Sequence, residues 1–221
     1  MGVNLAESPH FYAVGAKGCG RTSVLKTLLA SIEATYTPEE AAVFICSIGT
    51  GLADAIDRRY LKLYANTIPD VTAVATALAN KLAERKPPPG LDGSDLARWQ
   101  FGGERVFLVI DDINLLTPPG MSQTQSILQP LIPAIQQGRQ IRLHVLATAS
   151  VQNWYATGNN KAIDAMNLTG AGVLVMDGPK EKIIGDFKAA SRIPGRGELV
   201  YRTAGAQMVQ VALPPQRPET L

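Results

Sequence analysis

Short continuous apolar runs alternate with stretches of helical spacing along most of the chain. Phe11-Tyr12-Ala13-Val14, Ala42 to Ile48, Val106-Phe107-Leu108-Val109-Ile110, Ile141 to Thr148 and Gly172 to Met176 read as strands. The run at Val106–Ile110 suits a central parallel strand buried on both faces. Between the first two runs, Val24, Leu25, Leu28, Leu29 and Ile32 share one face of a helix ending near Tyr36. Val71, Val74, Leu78 and Leu82 mark a second helix, with Asp70 as its expected N-cap after Pro69.

The breaks are as informative as the runs. Gly49-Thr50-Gly51 ends a strand, and a short helix is expected from Ala53 to Tyr60, then a brief strand at Leu61–Tyr64. Lys86-Pro87-Pro88-Pro89-Gly90 stops the second helix. The stretch from there to Gly103 reads as an exposed connection with a short helix around Leu96. A helix is expected from Gln123 to Gly138, with Pro130 and Pro133 demanding a late start or a kink. Another is expected from Lys161 to Met166. Gly197–Arg202 and Gln207–Leu213 predict a closing hairpin turned at Ala204-Gly205, and the polar tail from Pro214 to Leu221 is expected to be disordered. The whole predicts one α/β domain over residues 1–213, with a mostly parallel sheet flanked by helices and a C-terminal antiparallel β-hairpin.

One stretch carries distinctive chemistry. Gly15-Ala16-Lys17-Gly18-Cys19-Gly20-Arg21-Thr22 and the following Ser23 join the first strand to the first helix. They meet the phosphate-loop pattern G-x-x-x-x-G-K-[ST] everywhere except at the lysine, where Arg21 stands. The glycines allow backbone N–H groups to converge on an anion, and the helix N-terminus adds its positive end. Thr22 places a hydroxyl where Mg²⁺ is held in such sites. Arginine keeps the charge but is larger and forked, so the exchange bears on hydrolysis more than on binding. The plainer alternative is a glycine-rich turn without a ligand.

The run Val106–Ile110 closes on Asp111-Asp112, the form of a Walker B motif. Asp111 is the expected Mg²⁺ carboxylate at the end of its strand. Asp112 stands where related ATPases carry the acid that orients water, though it is one methylene shorter than glutamate. A strand-end acidic pair capping a turn is the alternative. Thr148 and Ser150, at the end of a later strand, are candidates to sense the terminal phosphate or simply to form a turn.

Composition narrows the partners. The chain has 221 residues and a net charge of +2, which gives no electrostatic case for nucleic acid or an anionic membrane. Two cysteines, Cys19 and Cys46, make neither a disulfide framework nor a zinc site, so a reduced, cytosolic setting is the default. His10 and His144 read as strand-end packing residues rather than metal ligands. No apolar run has the length of a membrane span and no signal peptide is evident. The first strand lies close to Met1, which suggests a module cut from, or joined to, something longer.

With both nucleotide motifs, the run Leu131 through Gly138 to Thr148 and the turn Pro194-Gly195-Arg196-Gly197 in order, the chain resembles FtsK/SpoIIIE-type P-loop ATPases. Within them it is most similar to a C-terminal ATPase domain of EccC, the motor of type VII (ESX) secretion. The resemblance implies a RecA-like P-loop NTPase fold, ATP and Mg²⁺ as ligands, and slow or no hydrolysis at this degenerate site. It implies tandem ATPase domains of one motor, ring assembly, and a place on the cytoplasmic face of the plasma membrane in a membrane-anchored complex. It also implies recognition of WXG100-type secreted substrates through a C-terminal signal. Arg139, Arg142, Arg192 and Arg196 are candidates for an arginine acting across a subunit interface, with ordinary surface or turn roles as the plainer reading. A nucleotide-free docking module of ATPase-like fold and an FtsK-type DNA translocase are the rival functions. Near-neutral charge argues against the latter.

Overall fold

The first apolar run becomes β1 (Phe11–Gly15), fully buried near the middle of an eight-stranded sheet. The computed structural model describes residues 3–116, 126–152, 154–157, 160–202 and 205–215. β2 (Ala41–Ser47), β3 (Leu61–Ala65), β4 (Arg105–Asp111), β5 (Leu143–Ser150) and β6 (Gly172–Val175) complete its parallel part. β9 (Arg196–Tyr201) and β10 (Gly205–Gln210) add an antiparallel hairpin, giving the order β10-β9-β6-β1-β5-β4-β2-β3. β7 (Lys182–Ile184) and β8 (Phe187–Lys188) form a separate small ribbon that the apolar pattern does not reveal. The proposed turn residue Ala204 and the tail from Gln216 lie outside the described residues.

Alternation along β1 explains the layers. Tyr12 and Val14 face one core with Val106, Leu108 and Ile110, while Phe11 and Ala13 face the other with Phe107 and Val109. α1 (Arg21–Thr35) covers the second face with Val24, Leu25, Leu29 and Ile32. α2 (Ile68–Ala83) covers the first with Val71, Val74, Ala75, Leu78 and Leu82. Fully burying one such leucine contributes roughly 1.5–3 kcal/mol, so this two-sided apolar pattern dictates a sheet sandwiched between helices. α3 (Gly93–Arg98) lies on the connection after the proline run and buries none of its side chains.

Several local expectations are corrected. The stretch from Ala53 to Tyr60 forms turns, not a helix. Thr67 rather than Asp70 is the N-cap of α2: its Oγ1 accepts from the Asp70 amide and donates to the Asp70 carboxylate, so Asp70 closes the box from the first turn. Residues 123–125 of the expected helix at Gln123–Gly138 lie outside the described residues. From Ser126 the chain runs through a 3-10 turn at Gln129–Leu131 into the short α4 (Ile132–Gln136) and α5 (Gly138–Ile141). Pro130 and Pro133 each sit in a first turn, where the missing N–H costs nothing, so the late start is borne out and the long helix is not. Ile141 therefore ends a helix, and Arg142 (φ 56°) turns the chain into β5. α6 (Trp154–Thr157) was not anticipated, and α7 (Lys161–Leu168) extends the expected helix by two residues.

Candidate nucleotide-binding site

β5 lies between β1 and β4, so the glycine loop and the acidic strand end are separated by one strand. Gly15 pairs with Ser150 and Ile110 with Ala147, which brings the carboxyl ends of all three strands to one edge. Brought together there are Arg21, Thr22, Asp111, Asp112 and Thr148.

The loop opens α1 on backbone alone. Gly20, at φ 101°, is the N-cap of α1 and supplies no side chain, and no acidic residue follows in the first turn. The opening amides of the helix therefore lack a side-chain cap. Not all loop residues face the same way. The Ala16 amide donates to Asp177 O (2.7 Å), and the Cys19 amide to Ala16 O (3.3 Å), so these amides are spent within the chain. Cys19 is buried with its Sγ 3.9 Å from Met176 Sδ, and burial pushes its thiol pKa up. Lys17 and Gly18 are exposed and Ser23 is half-buried.

Polar groups at the strand ends form one chain. Thr22 Oγ1 donates to Asp111 Oδ2 (3.0 Å), and Thr148 Oγ1 donates to Asp111 Oδ1 (2.8 Å). The Asp112 amide donates back to Thr148 Oγ1 (2.8 Å). Asp112 sits in the left-handed region at φ 59°, and its carboxylate meets Arg21 Nη2 at 3.1 Å. Arg21 Nη1 and Asp112 Oδ1 are buried without a hydrogen-bond partner among the described residues. Gly51, from the loop after β2, closes the other side: a Cβ there would stand 3.4 Å from Thr22 Cγ2 and 3.9 Å from Asp111 Oδ2. Thr148 is thus a central member of the network, while Ser150 turns to Asn114 and the following loop.

This donor set fits Mg²⁺ bound together with phosphate. Among the described residues no cluster of three or more His, Cys, Asp or Glu could hold a metal ion alone. Mg²⁺ commonly takes one or two protein oxygens and completes its shell with phosphate and water. The hydroxyl of Thr22 and the carboxylate of Asp111 are such a pair. The two partnerless atoms of Arg21 and Asp112, one donor and one acceptor, mark where a ligand would complete the site.

A second set of contacts buttresses the loop from behind. The Gly195 amide donates to Cys19 O (2.8 Å), and a Cβ on Gly20 would lie 3.3 Å from that amide. Asp177 accepts the Arg192 amide on Oδ1 (2.9 Å), and the Arg192 side chain pairs with Glu198 (3.1 Å). Asp177 lies in no recognisable sequence motif, and Gly51 reads in sequence only as part of a strand-ending break.

No family model matches the chain. It is 33% identical to the ESX-5 secretion system protein EccC5 of Mycobacterium marinum over 226 residues, 96% of this chain and 16% of that protein. The solved cytoplasmic domain of the Thermomonospora curvata type VII secretion ATPase EccC superposes with a TM-score of 0.87, at 25% identity over 97% of this chain and 25% of that one. The chain is a homologue of EccC ATPase domains. Its sheet and flanking helices are those of RecA-like P-loop ATPase domains. The chain spans about a sixth of the length of the M. marinum EccC5 protein. ATPases 2 and 3 of T. curvata EccC, solved in complex with a signal sequence peptide, superpose equally well, with a TM-score of 0.87 at 25% identity over 97% of this chain and 38% of that one.

The four arginines raised as cross-interface candidates are placed differently. Arg192 is largely buried in its pair with Glu198, Arg142 donates to Gly103 O (3.0 Å), and Arg139 donates to Glu7 O. Arg196 is exposed, with no side-chain partner among the described residues.

Proposed function

We propose that this chain is an Mg-ATP-binding module of a type VII (ESX) secretion motor, with slow or no hydrolysis, that contributes to recognising WXG100-type secreted substrates. The observation that carries the nucleotide reading is the Thr22–Asp111–Thr148 chain at the uncapped start of α1. In this reading the first-turn amides and Arg21 hold the phosphates, and Thr22 and Asp111 hold Mg²⁺, which offsets phosphate charge when bound. Thr148 fixes the rotamer of Asp111 and the backbone of Asp112. Asp112 would orient the attacking water. Turnover is slow because phosphoryl transfer depends chiefly on positioning, and Asp112 is short and held by Arg21.

Residues 1–213 are taken as one ATPase domain with 214–221 as a tail. The module works beside other ATPase domains of the same motor, in a ring, on the cytoplasmic face of the plasma membrane. No helix among the described residues is long and apolar enough to cross a membrane, which is compatible with that place.

Titration with a fluorescent ATP analogue, with and without Mg²⁺, tests the reading. Wild-type binding that Arg21→Ala and Asp111→Ala lose supports it, and no binding at millimolar nucleotide contradicts it.

Peptide recognition has its own supporting observation. A groove of about 700 Å³ opens on the α1 face, with Leu28, Leu174 and Leu199 among its floor and Arg105, Arg139 and Arg142 along it. An apolar floor beside cations suits an amphipathic segment bearing carboxylates. The same groove favours the second reading, a docking module that has lost nucleotide, and the ATP titration separates the two.

A further inference from the structure

The two positions at which this chain departs from the usual nucleotide motifs touch each other. Arg21 opens α1 and Asp112 follows β4, yet Arg21 Nη2 meets Asp112 Oδ2 at 3.1 Å. An arginine and a carboxylate left to themselves favour a two-armed contact. Here one arm is made, and the second pair of atoms, Nη1 and Oδ1, is buried with no partner among the described residues. Leaving charged groups half-satisfied out of water is unfavourable, so the pair is poorly suited to a purely stabilising role. Nor is Asp112 free to relax away. Its φ of 59° and its amide bond to Thr148 Oγ1 aim the side chain at the helix start.

We propose that Asp112 is a selectivity residue that holds Arg21 as a stand-in for the terminal phosphate of a nucleoside triphosphate. This rests on the nucleotide reading above. The carboxylate occupies, as an anion, a partner position on the guanidinium that the terminal phosphate must take. A triphosphate therefore binds in competition with Asp112. A diphosphate, which lacks that group, leaves the pair closed and meets only the loop amides. The partnerless Nη1, buried while the pair is closed, becomes available to the arriving phosphate as the pair parts, and Oδ1 then becomes open to water. The two departures are matched: the longer, forked cation reaches the shorter acid.

The test is equilibrium binding of Mg-ATPγS and Mg-ADP to the full chain, compared among wild type, Asp112→Asn and Asp186→Asn. Asparagine keeps the shape, tolerates positive φ and removes the charge. Asp112→Gly, which suits the same backbone, is the second variant. Asp186, fully exposed on the β7–β8 ribbon, controls for net charge. Removing an anion at contact distance from the phosphate is expected to tighten ATPγS by about tenfold or more. ADP affinity should change by less than about threefold, and Asp186→Asn should change neither, at this screening. Equal tightening for both nucleotides, no change, or weaker ATPγS binding in the Asp112 variants overturns the proposal and leaves the nucleotide reading standing. Absence of binding in every variant overturns both.

Discussion

The amide of Gly195 donates to the carbonyl of Cys19 across 2.8 Å, so the turn before the closing hairpin rests directly on the phosphate loop. The next hydrogen bond continues the line: the Val211 amide donates to Gly195 O at 2.8 Å. The far edge of the sheet is thereby tied to the residues that would face nucleotide. Gly195 is at φ 78°, where an added Cβ is strained, and that Cβ would also stand 2.7 Å from Gln210 Nε2. Gly195→Ala is expected to cost about 1–2 kcal/mol, and the melting temperature to fall by roughly 2–8 °C for a chain of this size. Nucleotide affinity should fall with it. Gly102→Ala, at an open site without positive φ, is the control and should leave both unchanged in thermal unfolding and nucleotide titration.

Thr148 serves two acidic residues with one hydroxyl, as donor to Asp111 and acceptor from the Asp112 amide. Thr148→Val keeps the shape and removes both bonds. It is expected to cost about 1–3 kcal/mol in urea unfolding and to weaken Mg-dependent nucleotide binding more than Mg-free binding. Thr148→Ser should restore both, which separates loss of the hydroxyl from loss of packing.

His10 and His144 are buried and neutral, each with its pKa pushed down to about 4, chiefly by burial. His10 Nδ1 accepts from the Val145 amide, which leaves Nε2–H to donate to Ile135 O; His144 Nδ1 donates to Pro9 O. The folded values lie below the ordinary 6.5, so the unfolded chain takes up protons first. Their contribution is complete above about pH 6.5 and is lost as pH falls toward 4. Urea unfolding at pH 7.5 and pH 5 should differ by on the order of a few kcal/mol from this pair. His144→Phe, which keeps the stacking on Phe107 (5.0 Å between centroids), should show a shallower loss over that window.

The parts of this molecule legible in sequence are those whose cause is local. The apolar run Val106–Ile110 ending in Asp111-Asp112, and the glycine pattern from Gly15 to Thr22, each carry their geometry in adjacent residues. The cap of α2 is also local, but a proline directly before Asp70 makes that acid the more evident cap, while Thr67 sits outside the helix in extended conformation. What the sequence withheld depends on topology. Thr148 meets Asp111 only because β5 lies between β1 and β4. Asp177 fixes the loop and Arg192 fixes the closing turn through contacts across the sheet. Arg85, buried at the end of α2, donates to Ile141 O (2.8 Å) and Glu104 O (3.0 Å), and reads in sequence as an ordinary surface arginine. The β7–β8 ribbon is too short for any periodicity to mark it.

A crystal structure of the chain grown with Mg-ATPγS tests most directly whether the strand-end network at α1 is a magnesium–nucleotide site. Phosphates are expected against the opening amides of α1 and Arg21, with the metal on Thr22 and close to Asp111. Nucleotide bound elsewhere, or an Arg21–Asp112 pair still closed with no nucleotide at saturating concentration, would contradict that assignment.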